Sequence, residues 1–194
     1  EELLDEIEFY MDQYNATNFD FFDLTAIIRK DWLVAFSKLI IQRGLKINYE
    51  LPLGTRSEAL DDEALGLLYE SGCRHIGYAP ESWSDETLKL IKKKINKGKM
   101  FKSISTALEK KMMVKVSFVI GFPHESVRHL WANVPILSRL AFLGTHSVAV
   151  IPFSPYPGSE LFESLKKEGK LIVNDGYFHS LLKYLGFNSP LSYS

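Results

Sequence analysis

Three stretches share one design: RHIGYAPESWSDETL from Arg74, KVSFVIGFPHES from Lys115 and SVAVIPFSPYPGSELF from Ser147. Each opens as a short apolar run, suited to a buried strand, and breaks abruptly into polar, glycine and proline residues. Buried strands that exit this way belong to parallel α/β folds, where ligands sit at the carboxyl ends of the strands. The three exits are therefore expected to line one site.

The rest of the chain falls into the same rhythm. Residues 1–14 read as an amphipathic helix with Leu3, Leu4, Ile7, Phe9, Tyr10 and Tyr14 on an apolar face. Phe19 to Asp23 reads as a strand, Asp31 to Gln42 as a helix stopped by Gly44, and Lys46 to Leu51 as a strand leaving through Pro52 and Gly54. Asp61 to Ser71 is an expected helix with an acidic first turn, which suits the helix dipole, and Gly72 ends it. Arg74 to Ala79, Val114 to Ile120 and Val148 to Pro152 complete the strands. Helices are expected over 85–94, 99–110, 125–143 (broken at Pro135), 159–168 and 177–184. Strand starts fall roughly 28 to 40 residues apart, the βα spacing of a parallel sheet or barrel. The fold class expected is α/β, a partial (βα) TIM-like barrel of about five parallel strands in a single domain over residues 1–194.

Composition is that of a globular domain: 194 residues, 46% hydrophobic and 24% charged. A net charge of -1 gives no bulk signal for nucleic acid or a membrane surface, and no apolar run reaches the ~20 residues of a membrane helix. The acidic opening EELLDEIEFY does not read as a signal peptide. The chain has no initiator Met and opens inside a helix, which points to a piece of a longer protein. Its one cysteine, Cys73, rules out an internal disulfide or a multi-cysteine metal site within these residues and reads as a core residue at a strand entry.

Several polar residues at the exits could serve a ligand. Glu81, in APES, could accept hydrogen bonds from a ribose diol or an ammonium; its plainer role is a helix N-terminal charge before DETL. Arg56 could hold a carboxylate or phosphate, or simply pair with Asp61 and Asp62. One lysine of the run 92–94 could turn inward toward an anion, although such runs are usually solvated. Asp23 and Thr25 follow the first strand, where a turn or N-cap role is equally open. Ser117 alternates with apolar neighbours and is expected in a barrel lumen, with Tyr49 and Tyr78. Glu125 is expected to cap the following helix. His124 lacks a partner to orient it for catalysis. In PFSPYPGSELF, prolines stiffen a loop whose backbone could read a base edge, with Phe153 or Tyr156 against its face. GxGxxG, GxxxxGK and GxSxG are all absent.

Taken in order, FFDLTAI, TRSEALDDEALGLLYESGC, GYAPESWSDETLKLIKKK, VSFVIGFPHES and PFSPYPGSELF resemble the radical SAM superfamily, in particular its cobalamin-domain-associated subgroup. The resemblance implies a partial (βα)6 barrel. It implies S-adenosylmethionine and a [4Fe–4S] cluster as cofactors, with cobalamin in the full-length protein as a further one. The implied activity is generation of a 5′-deoxyadenosyl radical for hydrogen abstraction on an unknown small-molecule or macromolecular substrate. A reductant such as flavodoxin or ferredoxin and a cytoplasmic location follow from the same likeness. By motif position, Glu81 and Lys93 fall near the SAM ribose, methionine and carboxylate, and Arg56 has similar use. Asp23 and Thr25 fall near the methionyl end, Ser117 faces the cofactor, and Ile120, Gly121, Phe153 and Ser154 surround adenine. The CxxxCxxC segment that holds the cluster is absent from this sequence, so the activity is expected of the parent protein and the piece alone is expected to be inactive. The alternative is a non-catalytic SAM- or nucleotide-binding barrel module. An ordinary TIM-barrel lyase or aldolase lacks its lysine or paired carboxylates here.

Overall fold

The computed structural model describes residues 1–23, 29–54 and 60–181. Its strands are β1 (Asn18–Asp20), β2 (Asn48–Leu51), β3 (Cys73–Glu81), β4 (Met113–Ile120) and β5 (Ser147–Pro152). All neighbouring pairs run parallel, and their order in space is their order in the chain. The described helices are α1 (Glu2–Tyr14), α2 (Lys30–Arg43), α3 (Asp62–Glu70), α4 (Asp85–Leu90), α5 (Lys97–Glu109), α6 (Val127–Trp131), α7 (Val134–Leu143), α8 (Glu160–Lys167) and α9 (Asp175–Leu181). The expected α/β alternation is present throughout. Because β-crossover-β connections are right-handed, a sheet wound in chain order carries its crossover helices on one face and leaves the other open.

Alternation along the strands matches this. Leu51, Ile76, Val114, Val116 and Phe118 are buried under the helices, while Glu50, His75, Lys115, Ser117 and Val119 are partly exposed on the opposite face. Ser117 thus faces the open side, as expected. Tyr49 and Tyr78 do not: both are fully buried on the helix-covered face. Each aromatic body packs in the core while its hydroxyl finds a serine at the helix layer. Tyr49 Oη donates to Ser71 Oγ at 2.8 Å, and Tyr78 Oη shares a 2.8 Å hydrogen bond with Ser103 Oγ. Burial pushes both phenols up from their ordinary pKa.

α1 also departs from expectation. Leu4 and Ile7 are buried, with Leu3 and Met11 packed beside them, whereas Phe9, Tyr10 and Tyr14 are exposed. The stripe is the i, i+3, i+7 series of Leu4, Ile7 and Met11, which Phe9 and Tyr10 miss; Tyr14 continues it but is exposed at the last residue of the helix. Asp61 caps α3 by accepting from the Ala64 N–H at 3.0 Å, and Lys30 of α2 reaches both Asp61 (2.7 Å) and Glu63 (2.6 Å), tying the two helices. Gly72 then turns the chain at φ +107, where a Cβ would lie 2.1 Å from the Ile47 carbonyl oxygen. A Cβ on Gly77 would meet the Pro52 carbonyl oxygen at 2.3 Å, so the β2 exit lies directly against β3. The helix expected over 125–143 is two, α6 and α7, with Pro135 in the first turn of α7, where its missing N–H costs nothing.

Cys73 is fully buried, and burial pushes its thiol up to about 12. Phe162, Leu165, Leu171 and Tyr177 form a small cluster apart from the main core. Among the described residues, no helix is long and apolar enough to cross a membrane.

Candidate functional site

The exits of β3, β4 and β5 converge, and each is held by its own local device. β3 runs to Glu81, which sits at φ +64, an unusual backbone state for a residue with a Cβ that costs on the order of 1 kcal/mol. The turn places the Glu81 carboxylate against Lys93: Lys93 Nζ lies 2.8 Å from Glu81 Oε1 and donates to the Ala79 carbonyl at 2.6 Å. Lys93 gets there because α4 stops at Leu90 and the chain reverses through Lys92, at φ +56. Lys92 points outward to Glu160 instead, so of the three lysines at 92–94 it is Lys93 that turns in. The pair is only partly exposed, at 26% for Glu81 and 34% for Lys93.

At the β4 exit, Gly121 takes φ +78. The Glu125 carboxylate folds back onto this loop. Oε2 accepts from the Gly121 N–H at 2.7 Å and the Phe122 N–H at 3.3 Å, and Oε1 accepts from Thr87 Oγ1 at 3.2 Å. The expected capping role is thus corrected: α6 is preceded by Ser126, and Glu125 clamps the strand exit to α4. At the β5 exit, the Phe153 N–H donates to the Ile120 carbonyl at 2.7 Å, extending the ladder one residue past the strand. The Phe153 ring packs on Phe122 with centroids 5.0 Å apart.

Together these exits enclose a cavity of about 320 Å³, within the usual range for small-molecule sites. Of the residues expected from sequence, Glu81, Lys93, Phe153, Ser154 and Tyr156 line it. Ile91, Val119, Phe122, Ile151 and Pro152 line it as well. Phe122 had a visible signal, since it stands in a glycine/proline exit. Ile91 did not, because only the end of α4 decides where it points. Ser117, Ile120 and Gly121 lie outside the lining. Gly121 serves through its N–H to Glu125 and Ile120 through its carbonyl to Phe153. Asp23 is exposed three residues beyond the end of β1 and does not line this cavity. Thr25 and Arg56 lie outside the described residues. The lining combines the Glu81–Lys93 ion pair with the aromatic rings of Phe122, Phe153 and Tyr156 and with Pro152, which suits a ligand with a polar, charged part and a flat apolar part.

Comparison with known proteins bears directly on this arrangement. The Radical SAM superfamily profile matches residues 1–134. The chain belongs to the radical SAM superfamily. It is similar to an uncharacterized methyltransferase of Pyrococcus horikoshii, 26% identical over 84% of this chain and 34% of that protein. It is also similar to the cytidylyl-2-hydroxyethylphosphonate methyltransferase of Streptomyces wedmorensis, 26% identical over 98% of this chain and 36% of that protein. The chain therefore spans about a third of the length of the curated relatives it matches. Among solved structures, the radical S-adenosylmethionine methyltransferase TsrM of Kitasatospora setae, with cobalamin and a [4Fe–4S] cluster bound, aligns with a TM-score of 0.69 at 14% identity, covering 89% of this chain and 32% of that one. The cobalamin-dependent radical enzyme OxsB aligns at 0.59 and 15% identity, over 86% and 24%. These likenesses establish the fold, a partial radical SAM TIM-like barrel.

An iron–sulfur cluster does not fit the residues of this superfamily member. It needs several thiolates, and the sequence has one cysteine, fully buried with its thiol held protonated far above neutral pH. Among the described residues, no group of three or more His, Cys, Asp or Glu could hold a metal.

Proposed function

We propose that the strand-exit cavity is the S-adenosylmethionine site of a radical SAM methyltransferase of which this chain forms part. The observation that carries the reading is the convergence of Glu81, Lys93, Phe153 and Ser154, from two strand exits and the end of α4, on one cavity of ligand size. Both curated relatives are named as methyltransferases, which supports the reaction class.

The residues present fit S-adenosylmethionine in charge and shape. Glu81 offers its Oε2 oxygen, which has no recorded partner among the described residues, to the ligand's ammonium or ribose hydroxyls. Lys93, already beside Glu81, supplies the cation for a carboxylate. The Phe122–Phe153 pair and Tyr156 give a flat apolar wall for a purine. Bound there, S-adenosylmethionine would supply the methyl group, and the cluster that radical chemistry requires would be held by cysteines outside these residues. The described residues bind and orient it and exclude water. Cobalamin in the parent protein, and a substrate that accepts the methyl group, belong to the same proposal.

The test uses the full-length protein under anaerobic conditions. Equilibrium dialysis measures S-adenosylmethionine binding, and chromatography measures release of S-adenosylhomocysteine and 5′-deoxyadenosine after reduction. Binding that is lost in Glu81→Ala, with either product released, supports the proposal. Binding with neither product selects the non-catalytic binding module. Absence of binding rejects both readings.

A further inference from the structure

Between β3 and α4 runs a short link, Ser82 to Ser84, whose two serines are buried. The Trp83 peptide within it is gripped on both sides by side chains from elsewhere in the chain. Asn133, at the junction of α6 and α7, accepts the Trp83 N–H on Oδ1 at 2.6 Å. Lys97, at the start of α5, donates to the Trp83 carbonyl at 2.8 Å. Asn133 Oδ1 also receives the Ser82 hydroxyl, at 3.4 Å, and Ser82 Oγ in turn accepts from the Ser84 N–H at 3.1 Å. Ser84 then caps α4 by accepting from the Thr87 N–H at 3.2 Å. Asn133 is 3% exposed, and its Nδ2 is buried with no hydrogen-bond partner among the described residues. Burying an amide nitrogen in that way costs free energy. A backbone N–H can only donate, so the amide oxygen is the atom that must face Trp83. The buried side chain is therefore there for its acceptor, and what the acceptor holds is the link.

Glu81 immediately precedes this link, at φ +64. A residue with a Cβ persists in that state only where its surroundings over-determine it. On the strand side, the ladder sets Glu81 opposite Phe118. On the other side, the fixed points are Ser82 and Trp83, and through them Asn133. Lys93 meets Glu81 at the carboxylate, whereas Asn133 acts on the chain that carries it. We infer that Asn133 is a positioning residue for ligand binding: by fixing the Ser82–Trp83 link it holds Glu81 in its left-handed state, with the carboxylate at the strand-exit cavity. Glu81 lines that cavity and Asn133 does not, so Asn133 acts on a ligand through Glu81. The inference rests on the cavity being the S-adenosylmethionine site.

A double-mutant cycle on the full-length protein tests it, with calorimetric titration of S-adenosylhomocysteine as an unreactive probe. Thermal melting establishes that each variant is folded at the titration temperature. Asn133→Ala is expected to weaken binding about tenfold, the loss of one hydrogen bond to a charged group. In the Glu81→Ala background the same change alters affinity by less than about twofold, because the group it positions is gone. Where Asn133→Ala does not fold, Ser82→Ala carries the same cycle, with an expected loss of about threefold in the parent background for the weaker contact. A loss of similar size in both backgrounds makes Asn133 a general support of the fold and overturns the inference, as does unchanged affinity in the parent background. A parent protein that binds the probe but is indifferent to Glu81→Ala overturns the inference and leaves the cavity reading in place. No binding by the parent protein overturns the cavity reading as well.

Discussion

Replacing Glu125 tests how the cavity is held in shape. Its carboxylate is the joint between two exits: Oε2 takes the Gly121 N–H at 2.7 Å and the Phe122 N–H at 3.3 Å, while Oε1 takes the Thr87 hydroxyl at 3.2 Å. The short bond to a charged acceptor contributes about 1.5–3 kcal/mol, and each of the two longer ones contributes about 0.5–1 kcal/mol. Thr87 is fully buried, so its hydroxyl is stranded in Glu125→Ala. The Gly121 N–H is half-buried, and water recovers part of that loss. The balance is about 3 kcal/mol lost. Glu125→Gln keeps an oxygen at the Oε2 position and turns an amide toward Thr87, whose hydroxyl can accept instead of donate, so it loses about 1 kcal/mol. For a domain of this size that is a fall in Tm of about 6–12 °C for alanine and about 2–4 °C for glutamine. Thermal melting reads the first effect. Equilibrium dialysis with S-adenosylhomocysteine reads the second, a loss of affinity of about tenfold or more for alanine as the β4 exit leaves its position. Equal losses for the two variants would mean that charge, not the acceptor geometry, is what matters. An alanine variant within about 0.5 kcal/mol of the parent would remove the clamp from the account altogether.

Other expectations follow from single contacts. Gly77→Ala puts a methyl group 2.3 Å from the Pro52 carbonyl oxygen, and since both partners are backbone the β2 exit must move; chemical denaturation is expected to show a loss of about 1–3 kcal/mol, and an unchanged midpoint would refute the contact. Tyr78→Phe strands the buried Ser103 hydroxyl and costs about 1–2 kcal/mol, of which adding Ser103→Ala recovers a measurable part in a double-mutant cycle. Cys73 resists a thiol reagent in the folded protein and reacts on unfolding. Its thiol is held up to about 12 when folded and titrates near 8.5 when unfolded. Above that unfolded value the open chain releases a proton that the fold retains. Stability therefore falls as pH rises, by up to about 1.4 kcal/mol per pH unit from this group. Denaturation series from pH 8 to 10 are expected to be shallower for Cys73→Ala than for the parent, and parallel series would contradict this.

Strands β3 to β5 were legible because each is an apolar run bounded by glycine or proline, and a buried parallel strand needs little else. β1 was drawn too long. An edge strand pairs on one side only, and nothing in Phe21 or Phe22 says where its ladder to β2 ends. The two tyrosines were placed on the wrong face because a phenol can satisfy its hydroxyl in the core whenever a serine lies within reach. Ser71 and Ser103 come from helices whose packing the sequence does not reveal. Glu125 was misassigned for a related reason: a glutamate before a helix can cap it or fold back, and Gly121, four residues earlier, decides between them. Half of the cavity wall was visible as motif residues at the exits. Ile91, Val119 and Ile151 were not, because ordinary core residues become cavity residues only through tertiary arrangement.

The coincidence of strand order with chain order also matters at the ribosome. Each strand pairs with the one made just before it, and successive strands begin about 25 to 40 residues apart. At about 5–20 residues per second of synthesis, a new strand emerges a few seconds after its neighbour. It finds that neighbour's edge waiting, with no later segment competing for it. The interval before β4 is the longest, and during it the open edge of β3 is the most exposed surface of the nascent chain. Slow codons or a bound chaperone would act with greatest effect on yield over residues 82–112.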